Sequence, residues 1–295
     1  MQAPMQAETF ASVMAVLVVY ERSLQEAKPW QTLRRWLEGS ADGRGEPRLH
    51  RVFIYDNSAQ SRAKPPADLE RCDYVHNPGN GGTAAAYRAA LSVARERGID
   101  WLLLLDHDTQ LPEDFLDRSA VAARLATEVD APVAVVPWVR HGVGRIVSPT
   151  LVTRMGSFRP LTQRQKPGDC RHLSAIASGS LLRASALENL PPWPKGLWLD
   201  YVDHWIFTQL QRNGSRILVS DQVLQHDLSV AAPGKLSATR LRSLLDGEAI
   251  FTGLLGLGAR AVYPLRLMWR ILNLARLNPR LAMTALHWVV AGGPR

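Results

Sequence analysis

The sequence predicts an α/β protein built on a mostly parallel sheet, with a helical segment behind it. Three observations carry this. Short apolar runs alternate with longer mixed segments through the first half of the chain, as βαβ units require. Two of those runs end directly in Asp, at the carboxyl ends of strands where open α/β sheets bind ligands. Residues 236–295 are then helical in character and rich in Leu and Arg, with acidic residues only at Asp246 and Glu248.

Residues 13–20 (VMAVLVVY) form the first buried strand. The longer run 10–20 resembles the apolar centre of a secretory signal. However, Glu8 precedes it, no Lys or Arg does, and no small-residue cleavage pattern follows, so the strand reading is preferred. Residues 30–38 are a helix. Residues 51–55 (RVFIY) are a second strand, ending at Asp56-Asn57-Ser58, and a loop over 61–69 leads to a short strand around Tyr74-Val75. The Ala-rich stretch 83–97 is a helix with Gly98 as its stop. Residues 101–105 (WLLLL) are a fully buried strand, followed at once by Asp106-His107-Asp108.

Further on, 133–139 is another strand and 142–168 a polar, Gly/Pro-punctuated stretch with five Lys or Arg. Ser178-Gly179 leads into a short helix reaching about Asn189. A second helix starts near Asp200 and stops at Gly214, and 216–220 returns as a strand. The chain divides into a domain over 1–232 and a helical appendage over 233–295.

Bulk properties narrow the function. An apolar share of 46% and a charged share of 21% over 295 residues give a packed globular core. The net charge of +8 and pI near 9.9 favour a polyanionic partner: nucleic acid, anionic lipid or a phosphate-bearing substrate. Cys72 and Cys170, unclustered, make neither a disulfide framework nor a zinc site and suit a reducing cytosol. No apolar stretch reaches the ~18 residues needed to span a bilayer.

The chemistry lies in the acidic pairs. In an extended segment residues i and i+2 face the same way, so Asp106 and Asp108 are expected to point at one spot. Two adjacent carboxylates suit a hard divalent cation holding a diphosphate; the competing reading is a strand end entering a turn. Asp200 and Asp203 open a helix whose apolar Val202, Ile206 and Leu210 repeat at i+4. One of them could act as a general base; as N-cap and first-turn acid they also make good helix chemistry unaided.

Taken in order, V-V-x-Y at the first strand, Asp56-Asn57-Ser58 at the second, Asn77-Pro-Gly-Asn80-Gly81-Gly82 before the Ala-rich helix and Asp106-x-Asp108 resemble the family 2 glycosyltransferases. The later Asp200-Tyr201-Val202-Asp203-His204 adds to this, and the resemblance covers about residues 12–228. It is most similar to the bacterial rhamnosyltransferases of O-antigen and cell-wall polysaccharide synthesis. The resemblance implies an A-type glycosyltransferase fold and an inverting, metal-dependent transfer from a nucleotide-sugar.

On that basis Tyr20, Asp56, Asn80, Gly81, Gly82 and Asp106 bind the nucleotide. A strand-end carboxylate such as Asp56 can accept the imide N–H of uracil or thymine. The glycines let backbone approach ribose or phosphate, unless they form an ordinary Asn-Gly turn. Asp106 and Asp108, with His226 after the last strand, hold Mn²⁺ or Mg²⁺, although a lone His there is more often structural. Asp203 is the base, with Asp200 as the alternative. Ser178, Gly179 and His204 shape the sugar or acceptor pocket, with a plain cap before Leu181 as the competing reading of the first two. The implied donor is a dTDP- or UDP-sugar, dTDP-rhamnose first; the implied acceptor is a polyprenyl-diphosphate-linked glycan at the cytoplasmic face of a bacterial membrane.

In the appendage Arg266 and Arg270 lie one helical turn apart amid Leu, Met, Ile, Trp269 and Trp288. That mixture suits a helix in an anionic membrane interface; a bundle on the catalytic domain or a homodimer contact are the other readings. A nucleic-acid binder is disfavoured because no RNP, helix-turn-helix or finger pattern occurs. A nucleotidyltransferase would need a Gly- and basic-rich loop after the first strand, where Val19-Tyr20-Glu21-Arg22-Ser23 stands. A galactofuranosyl- or other hexosyltransferase of the same fold stays open.

Overall fold

In the computed structural model the described residues are 12–39, 49–124, 132–141, 145–161, 172–225 and 236–294. Strands β1 (Val13–Val19), β2 (Arg51–Asp56), β3 (Cys72–His76) and β4 (Trp101–Asp106) fall where the apolar runs place them. β5 (Ala134–His141), β6 (Arg145–Ser148), β10 (Leu181–Arg183) and β11 (Ile217–Gln225) complete an eight-stranded sheet. Its order is β11-β5-β10-β4-β1-β2-β3, with β6 beside β5. β7 (Thr150–Val152), β8 (Phe158–Pro160) and β9 (Leu173–Ser174) form a second, small antiparallel sheet.

Side-chain alternation splits the core into two layers. Met14, Val16, Val18, Phe53, Tyr55, Leu102 and Leu104 pack under α2 (Gly82–Arg97), α4 (Ala184–Glu188) and α5 (Val202–Arg212). Ala15, Leu17, Val52, Ile54, Leu103 and Leu105 pack on the other side, against α1 (Trp30–Glu38) and α3 (Phe115–Arg124). α1 buries Trp30, Leu33, Trp36 and Leu37, an i, i+3, i+4 stripe, and α2 stops at Gly98 in the left-handed region with φ 66°. A third cluster joins α6 (Ala238–Leu254), α7 (Leu257–Leu277) and α8 (Pro279–Val290) through Leu241, Leu245, Leu267, Leu274, Leu281 and Ala285.

Several expectations are corrected. The residues after Gly179 enter a strand before the helix. β10 inserts antiparallel between β4 and β5, and only then does α4 begin. Three residues buried on both sides carry no periodicity that sequence could reveal. The stretch 142–168 holds β6, β7 and β8 among its described residues, and α3 occupies 115–124. Asp200 is not the N-cap of α5: Tyr201 is, with φ 65°, in the left-handed region that side chains rarely adopt.

Gly82 ties the two halves of the fold together. It has φ +72°, and a Cβ there would lie 2.1 Å from the Trp198 carbonyl oxygen. Around it Trp198 Nε1 donates to Asn80 O at 2.6 Å, Ala84 N to Trp198 O at 3.1 Å, and Thr83 Oγ1 to Leu199 O at 3.3 Å. Gly82→Ala adds both backbone strain and a collision with backbone. It is expected to destabilise the fold by about 2 kcal/mol or more, read from urea unfolding against the parent.

Candidate active site

β4 delivers Asp106 to the end of the sheet. Leu102 and Leu104 face the α2 layer, and Asp106 continues that parity. Its Oδ2 accepts a 2.5 Å hydrogen bond from Ser178 Oγ, which sits in the turn before β10. Ser178 is buried, and Gly179 beside it has φ +81°, its N–H donating to Leu104 O at 2.8 Å. A Cβ on Gly179 would meet Leu224 Cδ1 at 2.3 Å, so glycine is required there by packing.

Asp108 is not on the strand. β4 ends at Asp106, and His107-Asp108 form a turn closed by Thr109 N donating to Asp106 O at 3.2 Å. The two carboxylates are thus brought near one another by a turn, and strand alternation does not apply to Asp108. Beyond the turn Gln110 bridges Gln225, the last residue of β11, at 3.4 Å. His226 follows Gln225 and lies outside the described residues, so its place as a metal ligand is not described. Among the described residues no set of three His, Cys, Asp or Glu is grouped to hold a metal ion. The donor chemistry of Asp106 and Asp108 nevertheless fits a hard divalent cation, with hard oxygen ligands on one short turn.

α5 brings Asp203 to the same place. Asp203, half-buried in the first turn, accepts from His204 N at 2.7 Å through Oδ1. The link to Asp106 is Tyr87 on α2, which sequence reasoning passed over inside an Ala-rich helix. Its phenol is pushed well above the ordinary tyrosine range, by burial first and then by the charges of Asp106 and Asp203. One buried hydroxyl therefore senses both carboxylates.

Asp200 has different surroundings. It is 7% exposed, its Oδ1 accepts from Arg240 Nη2 of α6 at 2.9 Å, and its N–H faces Ser243 Oγ at 3.4 Å. Gly247 of α6 packs so closely that a Cβ would lie 2.4 Å from the Asp200 carbonyl oxygen. Burial raises the carboxyl above its usual range, partly offset by Arg240 and the Ser243 hydroxyl. Neither Arg240 nor α6 was singled out from sequence. His204 lies one turn into α5, its Nδ1 sharing a 2.7 Å hydrogen bond with Ser174 Oγ and its ring 4.3 Å from that of Phe158, beside Tyr201 and Phe251.

At the other end of the cleft Tyr20 is 51% exposed where β1 stops. Glu21 follows with φ 51°; its N–H donates to Ser58 Oγ at 2.8 Å, and its carboxylate accepts from Ala59 N at 3.0 Å. Asp56 does not offer the open carboxylate that base recognition was expected to use. It is fully buried on the α1 side, with Oδ1 accepting from Ser58 N and Oδ2 from Arg62 N, Ala63 N and the Tyr74 hydroxyl at 2.8–3.0 Å. Burial alone would raise its pKa, but the hydrogen bonds outweigh it and hold the carboxyl low. The glycine loop departs from its expected role too. A Cβ on Gly81 would meet Asn77 Nδ2 at 2.6 Å and Ala85 Cβ at 2.7 Å, so the missing side chains at Gly81 and Gly82 make room for protein. Asn80, at φ 51°, turns the loop.

The sheet with its flanking helices, and the acids gathered where β4, β10 and α5 meet, have the A-type glycosyltransferase fold. Residues 15–190 match the model of glycosyl transferase family 2, and the chain belongs to that family. No curated protein matches it by sequence. Among solved structures it is similar to TarS 1-349 of S. aureus in complex with UDP, at TM-score 0.50 and 13% identity over 86% of this chain and 72% of that one. The UDP-GlcNAc complex of TarS 1-349 gives the same TM-score and identity over 86% and 73%. GalNAc-T7 with UDP, GalNAc and Mn²⁺ gives 0.51 and 13%, covering 83% of this chain and 48% of that one. At such identity these likenesses speak for the fold.

Two predictions follow from the carboxylates. Because the folded pKa of Asp200 is raised, its burial costs nothing while it is protonated, and stability falls as pH rises through its titration. Arg240→Gln removes the ion-pair partner. It is expected to lower stability by about 2 kcal/mol at neutral pH and by less near pH 5, measured by urea unfolding at the two pH values. Asp56 is the reverse: its contribution is full above the ordinary carboxylate pKa and lost as pH falls through its depressed folded value. Asp56→Asn is therefore expected to flatten the acid limb of the stability profile and leave the alkaline limb as it is.

Proposed function

We propose that this glycosyltransferase moves a sugar, L-rhamnose from dTDP-rhamnose first, to a lipid-linked saccharide with inversion, in bacterial surface polysaccharide synthesis. The observation that carries an active site here is the convergence of Asp106 and Asp203 on the buried Tyr87. Donor-side and acceptor-side carboxylates are then held by separate elements, β4 and α5, across one cleft. UDP and UDP-sugar complexes of fold relatives support a nucleotide-sugar donor. A UDP-hexose is the second reading on the same ground.

In this reading Asp106 and Asp108, with His226, hold Mn²⁺ or Mg²⁺, and a cation so bound would neutralise the leaving diphosphate. Ser178 orients Asp106 through its short hydrogen bond. Tyr20, exposed at the end of β1, offers an aromatic face to the base, beside the loop that Asp56 stiffens. Asp203 takes the proton of the acceptor hydroxyl as the new glycosidic bond forms and the bond to the diphosphate breaks. It is preferred to Asp200 because Asp200 is buried and already paired with Arg240. Residues 1–232 make up the catalytic unit, working peripherally at the inner face of the cytoplasmic membrane, and the appendage 233–295 supplies Arg240.

The test is a panel of dTDP-, UDP- and GDP-sugars assayed for binding and hydrolysis with each metal. A dTDP- or UDP-sugar is expected to bind; a folded protein that binds none of them defeats the proposal. Asp203→Asn should lower transfer by about a thousand-fold while donor affinity stays within a few-fold, because the diphosphate is held elsewhere. If Asp200→Asn stops turnover and Asp203→Asn does not, the roles are reversed.

A further inference from the structure

α7 and α8 already use one face each for packing: Leu267 and Leu274, Leu281 and Ala285, all buried against α6. A soluble helix would carry polar residues on the other face. Here that face of α7 carries Leu265, Met268, Trp269 and Leu272, with Leu265 62% and Trp269 66% exposed. Positions 265, 268, 269 and 272 follow the i, i+3, i+4, i+7 repeat of a single stripe. On α8 Met283 and Val290 are exposed as well, Val290 to 79%. Among the described residues, the exposed large apolar side chains outside 257–290 are only Tyr20, Val75 and Met155.

Charge on this surface has one sign. No Asp or Glu occurs from residue 249 onward. Arg266 and Arg270, the pair that looked outward from sequence, turn inward: Arg266 donates to Gly156 O at 2.8 Å and Arg270 to Glu248 Oε2 at 2.5 Å. The arginines left at the surface are Arg260 on α7, Arg276 near its end and Arg280 at the start of α8. No described helix is long and apolar enough to cross a membrane, so a helix of this composition suits the plane of an interface.

We infer that the outer face of α7 and α8 is a docking surface for an anionic lipid bilayer, with Leu265, Trp269 and Leu272 entering the headgroup boundary and Arg260, Arg276 and Arg280 meeting lipid phosphates. A wide apolar stripe rimmed only by arginine is complementary to anionic lipid. A second copy of the chain would bring the same positive rim against itself. Arg266 and the Arg270–Glu248 pair fasten α7 to the small sheet and to α6, and α6 holds Asp200. The acid segment is thereby tied to whatever surface the stripe meets. The inference rests on the exposed face and its charge, whichever donor the enzyme uses.

The test is flotation of the full-length protein with phosphatidylcholine vesicles and with vesicles containing phosphatidylglycerol, at low and high salt. The protein is expected to float with the anionic vesicles and about ten-fold less with the neutral ones, and salt should weaken binding without abolishing it. Leu265→Glu together with Trp269→Ala should cut the bound fraction by about ten-fold or more and leave the thermal melt unchanged, since both side chains already face water. Replacing Arg260, Arg276 and Arg280 by Gln should remove the salt-sensitive part. Full-length protein that stays unbound to anionic vesicles, or a double variant that floats like the parent, overturns the inference. So does a dimer by light scattering that the double variant turns into monomer without any vesicle binding, which would give the face to a second copy. Each readout is independent of sugar transfer, so a failed donor screen leaves this result intact.

Discussion

The contact on which most of this structure depends is the approach of the Gly82 backbone to the Trp198 carbonyl. It works only without a side chain at Gly82, and the surrounding hydrogen bonds from Trp198 Nε1, Ala84 N and Thr83 Oγ1 close the seam from both sides. α2 carries Tyr87 and the segment 198–200 leads into α5, so the seam sets the spacing between donor-side and acceptor-side chemistry. If the two segments stood one methyl further apart, the buried phenol and the two carboxylates it senses would no longer share a site.

The parity of the sheet assigns the strand-end carboxylates to different work. Asp106 continues the row of β4 that faces α2 and stays within reach of the cleft, held by Ser178. Asp56 continues the row of β2 that faces α1 and is consumed by its own loop, four hydrogen bonds fixing residues 58–63 and the Tyr74 hydroxyl. Both are acids ending apolar strands, yet one residue of register separates an open group from a closed one.

This explains how far the sequence could be read. The long apolar runs, the Ala-rich helix with its Gly98 stop and the order of the acidic motifs were legible because burial on both faces and capping leave strong local signals. Left unread were the antiparallel β10, too short for any period, and the direction in which each acid points, which depends on strand register and turn geometry. Tyr87 and Arg240 were hidden for another reason. Each earns its place through a partner distant in sequence, and nothing in its own neighbourhood marks it.

The ion pair between Arg240 and Asp200 has a consequence for how such a chain can vary. The sheet is complete at β11, so by strand count everything after it is dispensable. Yet a buried carboxylate in the acid segment takes its counter-charge from forty residues further on, in the first helix beyond the sheet. A recombinant that joined this sheet to a foreign tail would inherit the acid without its cation. The two segments can therefore diverge only in step and behave as one heritable unit, however separate they look along the chain.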